Sequence, residues 1–279
     1  MTADKDKKIL ERIAILEKEE GELSLLLRFY RDLLRVQAAG KRESAGGNSL
    51  PDEAVRKRIQ DGVPLVDPAD LDFKVAPVQD LFVKVAGVCA RYPELFGEVP
   101  EKLSRPAAGR LLTKKAVSSW AKGEALPPAL AEGVRENVLR AIIQFALWPL
   151  LTSLRATLLP SVDVERWRRA YCPVCGGLAD MAFLDRERGA RWLLCSRCDA
   201  EWLFPRLECP YCGNQDQSAM AYFTDDSGRY RLQVCDKCRC YLKTIDQRTS
   251  EGEVLMPLER VLTVGMDRQA REKGYHLPS

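Results

Sequence analysis

The spacing of apolar residues changes near residue 160 and divides the chain into a helical part and a strand-rich part. Before residue 160, apolar positions recur every three or four residues, which is the period of an amphipathic helix. We predict helices over residues 4–38 with a break at Gly21, over 78–96, over 106–121 and over 129–147, with a further break at Pro149. Residues 40–51 and 61–77 are predicted to be loops because of their Gly, Ser and Pro content.

After Pro160 the helical period disappears, and short runs of strand-forming residues alternate with turn residues such as Gly176-Gly177. The six predicted strands are Ala182–Leu184, Arg191–Leu194, Glu201–Leu203, Met220–Phe223, Tyr230–Val234 and Tyr241–Ile245. Beyond Gly252 the helical spacing returns and predicts one helix over residues 256–273.

The composition is that of an ordinary soluble protein, with 46% apolar and 30% charged residues in 279 positions. This length has room for about two domains of roughly 100–200 residues. The net charge of +3 gives no reason to expect binding to nucleic acid or to a membrane surface. The charged N-terminus has no secretory signal, so we expect a cytoplasmic protein. The apolar run 138–151 is interrupted by Arg140 and Pro149, which favours a buried core helix over a membrane span.

Cysteine supplies the candidate chemistry of the strand-rich part. Eight of the ten cysteines form four Cys-x-x-Cys pairs, and this spacing lets one tight turn direct two sulfur atoms at a single tetrahedral metal ion. We call each pair with its turn a knuckle. The eight candidate metal ligands are Cys172, Cys175, Cys195, Cys198, Cys209, Cys212, Cys235 and Cys238.

The knuckles repeat in the order A-B-A-B, which indicates an internal duplication of about 40 residues. The first and third knuckles (type A) read Cys-Pro-x-Cys-Gly, whereas the second and fourth (type B) follow a strand-like run that begins with arginine. We therefore expect each A-B pair to hold one ion. A cross-braced arrangement of first with third and second with fourth is the alternative, and four metal-free pairs in reduced or disulfide form are a second one.

Four sulfur ligands fill a tetrahedron, so neither site has an open position for substrate, and we expect no enzyme activity. His276 is the one histidine in the chain, so a Cys-His or Ser-His catalytic pair has a single candidate histidine. The cofactors are predicted to be two ions of zinc or iron, between which spacing does not discriminate. A nucleic-acid-binding zinc ribbon and a rubredoxin-type electron carrier remain alternatives. Residues 166–248 contain 14 basic and 11 acidic residues, and this excess of positive charge is small for a nucleic-acid-binding protein. Cys240 has no assigned role.

At these residues the sequence resembles the FdhE family of formate dehydrogenase accessory proteins. The resemblance rests on the four knuckles, on the segment CSRCDAEW from Cys195 to Trp202, and on Tyr241-Leu-Lys243 after Cys238. It covers residues 170–246 most clearly. It implies a cytoplasmic, non-catalytic maturation factor that contacts the catalytic subunit of a respiratory formate dehydrogenase before that subunit is exported, with metal sites that are structural and associated with redox behaviour.

Together these patterns predict an α+β multidomain protein without a membrane span, whose oligomeric state stays open. An all-α domain over residues 1–165 is followed by two small β-rich units of rubredoxin-like or zinc-ribbon type, over 166–206 and 207–250, and by a C-terminal helix and tail over 251–279.

Overall fold

A computed structural model describes residues 2–18, 23–43, 51–68 and 76–278. Its contacts group the chain into two compact units. The helical unit comprises Met1–Asn48 and Val66–Leu154, and the sheet unit comprises Ser49–Leu65 and Arg155–Ser279. The segment before residue 66 thus belongs partly to the sheet unit, although the sequence pattern places it in the helical domain. Domain limits finer than this division stay predictions.

The helical unit is built from amphipathic segments that bury one apolar face, as their sequence spacing predicts. Its α-helices are α1 (Thr2–Leu16), α2 (Ser24–Glu43), α4 (Ala76–Ala90), α5 (Pro93–Phe96), α6 (Lys114–Lys122), α7 (Pro128–Ala131) and most of α8 (Glu136–Leu158). The break predicted at Gly21 lies outside the described residues, between α1 and α2. Helix α2 runs to Glu43, into the predicted loop 40–51.

The helix predicted over 106–121 is wrong in its first half, because residues Pro106–Leu111 form a 3-10 helix. Proline and glycine disfavour a regular α-helix here. Gly109 also packs so tightly that a Cβ atom at this position would lie 2.9 Å from the Gln79 carbonyl oxygen. Close packing on α4 therefore decides the conformation of this segment.

The helix break predicted at Pro149 is also wrong, since α8 continues through this residue. Proline has no N–H, so the carbonyl oxygen of Phe145 loses its donor within the helix. The side-chain amide of Gln37, which is 2% exposed, donates to that oxygen at 2.8 Å. A side chain from α2 thus replaces the missing hydrogen bond and lets the helix continue.

Residues 136–161 are long and apolar enough to cross a membrane by length and composition, and half of their most apolar window is buried inside the protein. Leu139, Ile142 and Ile143 are fully buried in the protein. This burial agrees with the core helix that the interrupted apolar run predicts.

The sheet unit carries all six predicted strands, each with its ends within three residues of the expected positions. They are β1 (Ala179–Leu184), β2 (Arg191–Cys195), β3 (Glu201–Leu203), β4 (Met220–Thr224), β5 (Tyr230–Cys235) and β6 (Tyr241–Asp246). Helices α3 (Asp52–Asp61), which the sequence pattern did not predict, and α9 (Val164–Trp167) belong to the same unit.

The six strands form one sheet in the order β3-β2-β1-β6-β5-β4. Each copy of the duplication contributes an antiparallel three-stranded meander, and β1 pairs with β6 in parallel to join them. The tandem units predicted from the repeat thus share a single mixed sheet. The predicted fold class, helices followed by β-rich units with two four-cysteine clusters, is confirmed.

The single helix predicted over 256–273 is two helices, α10 (Met256–Leu262) and α11 (Val264–Glu272). Thr263 separates them, and its buried hydroxyl donates to the Glu259 carbonyl oxygen at 2.7 Å. Such back-bonding to the carbonyl four residues earlier competes with the regular helix. Both helices pack on the sheet through buried residues such as Met256 and Ala270.

The buried ion pair between Lys243 and Asp267 ties α11 to β6, with Nζ and Oδ2 2.8 Å apart. We expect Asp267→Ala to lower the free energy of unfolding of the sheet unit by about 3–5 kcal/mol, because the substitution leaves the Lys243 ammonium buried without a counter-charge. The Tyr241 hydroxyl also loses its acceptor. Denaturant unfolding followed by tryptophan fluorescence measures the effect.

Lys57→Ala is the matched control, because it removes a solvent-exposed ion pair with Asp61 from the same unit. This variant should change the free energy of unfolding by about 0.5 kcal/mol or less. Equal losses in the two variants would show that Asp267 does not hold α11 on the sheet.

Candidate metal centres

Each type A knuckle is a tight turn whose backbone N–H groups point at sulfur. The Val174 N–H donates to Cys172 Sγ at 3.4 Å. Gly176 follows the second cysteine with φ of 69°, and Gly213 occupies the same place in the third knuckle with φ of 68°. This left-handed conformation favours glycine, as the sequence pattern predicts.

The type B knuckles adopt the same turn without glycine. Asp199 and Arg239 follow the second cysteine of their knuckles, and their φ angles are 57° and 56°. The Arg197 N–H donates to Cys195 Sγ at 3.4 Å, as Val174 does in the first knuckle. A positive φ costs a non-glycine residue about 1 kcal/mol or more, so the surrounding structure must hold these turns.

The first sulfur cluster combines knuckles one and two, and all four of its cysteines are buried. Cys175 Sγ lies 3.5 Å from both Cys195 Sγ and Cys198 Sγ. Cys172 Sγ lies 3.6 Å from Cys198 Sγ. We call this cluster site 1.

The second sulfur cluster, site 2, combines knuckles three and four. Cys209 Sγ and Cys238 Sγ are 3.7 Å apart, as are Cys212 Sγ and Cys235 Sγ. In contrast to site 1, Cys212 is exposed and Cys238 is half-buried. The structure therefore brings the eight predicted cysteines together in the sequential arrangement, and it does not form the cross-braced one.

The distances within each cluster suit a metal ion and exclude disulfides. A disulfide bond needs sulfur atoms about 2.05 Å apart. Four sulfur atoms about 2.3 Å from a central zinc ion lie about 3.8 Å from each other by tetrahedral geometry. The sulfur atoms of each group lie within 4.8 Å of one another. The donor set and its spacing thus fit one tetrahedral ion in each cluster.

The electrostatics of site 1 also favour a cation. Burial raises the pKa of Cys172 and of Cys198 well above the usual range of a thiol. Hydrogen bonds from the neighbouring cysteines lower the pKa of Cys175. Four thiolates packed together repel each other, and a divalent cation between them offsets this repulsion and the desolvation.

Arg260 of α10 holds the type B knuckle of site 1. The sequence analysis did not identify this role of Arg260. Its guanidinium donates to the Cys195 carbonyl oxygen at 2.7 Å and to the carboxylate of Asp199, the residue with positive φ. Asp180 of β1 accepts two further hydrogen bonds, at 2.7 and 3.0 Å. Since these residues are separated by 61 to 80 positions, no local sequence signal could have revealed the network.

Site 2 has an equivalent support from the segment that follows α11. Arg239 donates to the Lys273 carbonyl oxygen at 3.0 Å and to Asp236 at 2.8 Å. Its guanidinium also lies 4.1 Å from the centre of the Tyr275 ring. The C-terminal segment thus stabilises the strained turn of each type B knuckle.

The two remaining cysteines lie outside the four-sulfur groups. Cys240 is buried beside site 2, with Sγ 3.6 Å from the Cys238 carbonyl oxygen and 3.8 Å from His276 Nδ1. Cys89 is fully buried on α4, where burial raises its pKa to about 12. It is an inert core residue of the helical unit, as its apolar helix predicts.

Comparisons with known proteins find similarity to FdhE proteins. Residues 171–206, which contain site 1, match the family model of the FdhE central domain. An FdhE homologue from Aquifex aeolicus is 28% identical over 95% of this chain and 90% of its own length. FdhE from Escherichia coli O127:H6 is 28% identical over 110 residues, which are 39% of this chain and 35% of that protein.

A solved structure has the same fold. The crystal structure of FdhE from Pseudomonas aeruginosa superposes with a TM-score of 0.62 over 97% of this chain and 91% of that chain, at 22% sequence identity. The resemblance that the knuckles indicate is confirmed by the family model and by the relative that matches almost the whole chain. This chain is similar to FdhE proteins over almost its whole length and shares their fold.

Proposed function

We propose that the protein is a non-catalytic maturation factor that binds the catalytic subunit of a respiratory formate dehydrogenase in the cytoplasm before export. The observation that carries this proposal is the pair of closed four-sulfur clusters in a chain that is similar to FdhE proteins over almost its whole length. All four sulfur atoms of each cluster converge on one point, so a metal ion there has no free position for a substrate. The clusters are thus suited to shaping a binding surface.

Each cluster holds one zinc or iron ion in this proposal, with the eight predicted cysteines as ligands. The ion supplies charge compensation for four thiolates, and its binding energy contributes directly to folding. Arg260 holds the type B knuckle of site 1, and the Lys273 carbonyl holds Arg239 in that of site 2, so that metal binding and the packing of the C-terminal segment stabilise the same turns.

An electron-carrier role for site 2 is the second candidate, and the exposure of Cys212 favours it. A rubredoxin-type centre exchanges electrons through an exposed cysteine, whereas site 1 is closed to solvent on all four ligands. This role requires iron. Purification without added metal, followed by metal analysis and a visible spectrum, separates the candidates: red iron–sulfur charge-transfer bands support the carrier, and a colourless protein with two zinc ions contradicts it.

The difference in burial predicts that the two sites lose their metal at different rates. We expect a chelator to remove the ion of site 2 at least about tenfold faster than the ion of site 1, because Cys212 is open to attack while the site 1 sulfurs are buried. Release is followed with a chromophoric chelator, which should record two phases of equal amplitude.

The assignment of these phases is checked with Cys209→Ser, which should abolish the fast phase, and with Cys172→Ser, which should abolish the slow one. A single phase in the wild-type protein, or loss of the opposite phase in either variant, would contradict the assignment.

The maturation role predicts that the protein retains the catalytic subunit of formate dehydrogenase in a pull-down from cells that express both. Cys195→Ser combined with Cys198→Ser should lower the retained amount at least about tenfold, because loss of the ion loosens the unit that carries the binding surface. Cys89→Ala, which alters a buried cysteine of the helical unit, is the control and should retain the subunit. Absence of the subunit from the wild-type pull-down would refute the role.

A further inference from the structure

The sheet ends at β4, and this strand has an open edge. Within residues 76–278, β4 pairs only with β5. Hydrogen bonds from Asp236 N to the Ala219 oxygen and from Asp225 N to the Tyr230 oxygen define which positions face β5. By the alternation of an antiparallel pair, the backbone groups of Met220, Tyr222 and Thr224 point away from the sheet. The Met220 N–H donates to the Gln217 carbonyl oxygen, so the groups open to a further strand are the Met220 carbonyl and the backbone groups of Tyr222 and Thr224.

The side chains of β4 are exposed although they are mostly apolar. Tyr222 is 58% exposed and Phe223 is 42% exposed. The strand contains no proline and no charged residue, which are the usual means of blocking an edge. An uncovered apolar edge of this kind is the surface that extended peptides use when they add to a sheet.

The internal duplication shows what occupies this edge when it is filled. Counting back from Cys195 and Cys235, β1 and β4 are equivalent strands, and Phe183 corresponds to Phe223. In the first copy, β6 lies parallel on the free edge of β1, and β1 is almost entirely buried. Among the described residues no strand lies on the same edge of β4, and four of the five residues of β4 are exposed.

The opposite end of the sheet is closed. Strand β3 has three residues, and α9 packs against it. Trp202 of β3 is fully buried, and its indole donates to the Arg169 carbonyl oxygen. In a second copy of this chain, β3 therefore has no open edge that could pair with β4 and extend the sheet.

The Tyr222 face of β4 borders a cavity of about 200 Å³, which is also lined by the site 2 ligands Cys209 and Cys235. Three guanidinium groups and one carboxylate line it, those of Arg191, Arg206, Arg231 and Glu208. Arg231 shares the carboxylate of Asp246 with Arg248. Arg191 is 3% exposed, and its guanidinium already donates to the carbonyl oxygens of Pro205 and Glu208 and to the Gln233 side chain. Arg206 is exposed, and a carboxylate from a bound segment would complement its charge.

The Phe223 face of β4 borders a second cavity, of about 290 Å³, against α10 and α11. Leu262 and Met266 contribute apolar side chains to it. Because successive side chains of a strand point to opposite faces, a strand added to β4 would direct alternate residues towards the two cavities.

We propose that an extended acidic segment of the bound catalytic subunit, here called the client, adds to β4 as a seventh strand. The segment runs parallel to β4, as β6 does to β1. One set of its side chains, including a carboxylate, faces Arg206, and the alternate apolar set faces Leu262 and Met266. The identity of the client rests on the proposed function, and the inference adds the surface and the chemistry by which the client is recognised.

The test measures the affinity of the wild-type protein and of β4 variants for the purified catalytic subunit. Tyr222→Lys combined with Phe223→Lys should weaken binding at least about tenfold, which is the loss expected when aromatic anchors are removed. Ile15→Lys is the control, since it places a lysine on a similarly exposed apolar residue of the helical unit. Circular dichroism and thermal unfolding should match those of the wild-type protein in both variants.

The charge of the cavity is tested separately. Arg206→Glu should weaken binding by a similar factor, whereas Arg166→Glu, at an arginine that is 88% exposed in the same unit, should leave it unchanged. Wild-type affinity should fall as the salt concentration rises. A photo-crosslinking residue at position 222 should attach to an acidic extended segment of the subunit.

The possible outcomes separate the two proposals. If the wild-type protein binds the subunit and the β4 variants bind equally well, the surface is wrong and the maturation role stands. If the wild-type protein does not bind the subunit, the maturation role fails and the client segment with it. If light scattering finds a wild-type dimer that the Tyr222→Lys, Phe223→Lys variant abolishes, a second copy occupies the edge and the proposal is overturned.

Discussion

The parallel pairing of β1 with β6 is the contact on which the sheet unit depends. It joins the two copies of the duplication into one sheet, and it buries the strands at the centre of that sheet. It also determines which edges remain: β3 at one end, covered by α9, and β4 at the other. Helices α10 and α11 then pack against a continuous surface that neither copy could provide alone.

The two copies have the same ligand spacing and different environments. Site 1 lies where its cysteines are all buried and where Arg260 bonds to the turn that carries Cys195. Site 2 lies nearer the open edge, with Cys212 exposed and Leu207 65% exposed close by in the chain. This asymmetry suits different roles for the two copies, in which the first stabilises the unit and the second binds a partner.

The accuracy of the sequence predictions follows the range of the interactions involved. The strands were located correctly because runs of strand-forming residues and the turns that flank them are local signals. The break at Pro149 was wrong because Gln37, more than a hundred residues away in the chain, supplies the hydrogen-bond donor that the proline lacks. The regular helix over 106–121 was wrong because Gly109 packs directly on the backbone of α4.

The sequence by itself determined the eight sulfur ligands, their A-B-A-B repeat and the change from helices to strands, since each depends on residues close together in the chain. Only the tertiary structure decided that the two copies share a sheet, that Arg260 reaches the knuckle of site 1 and that β4 is left open. These features arise from pairs of residues separated by 60 or more positions. The spacing within a knuckle constrains the directions of its own sulfur atoms, but it carries no information about which strand lies beside it in the folded chain.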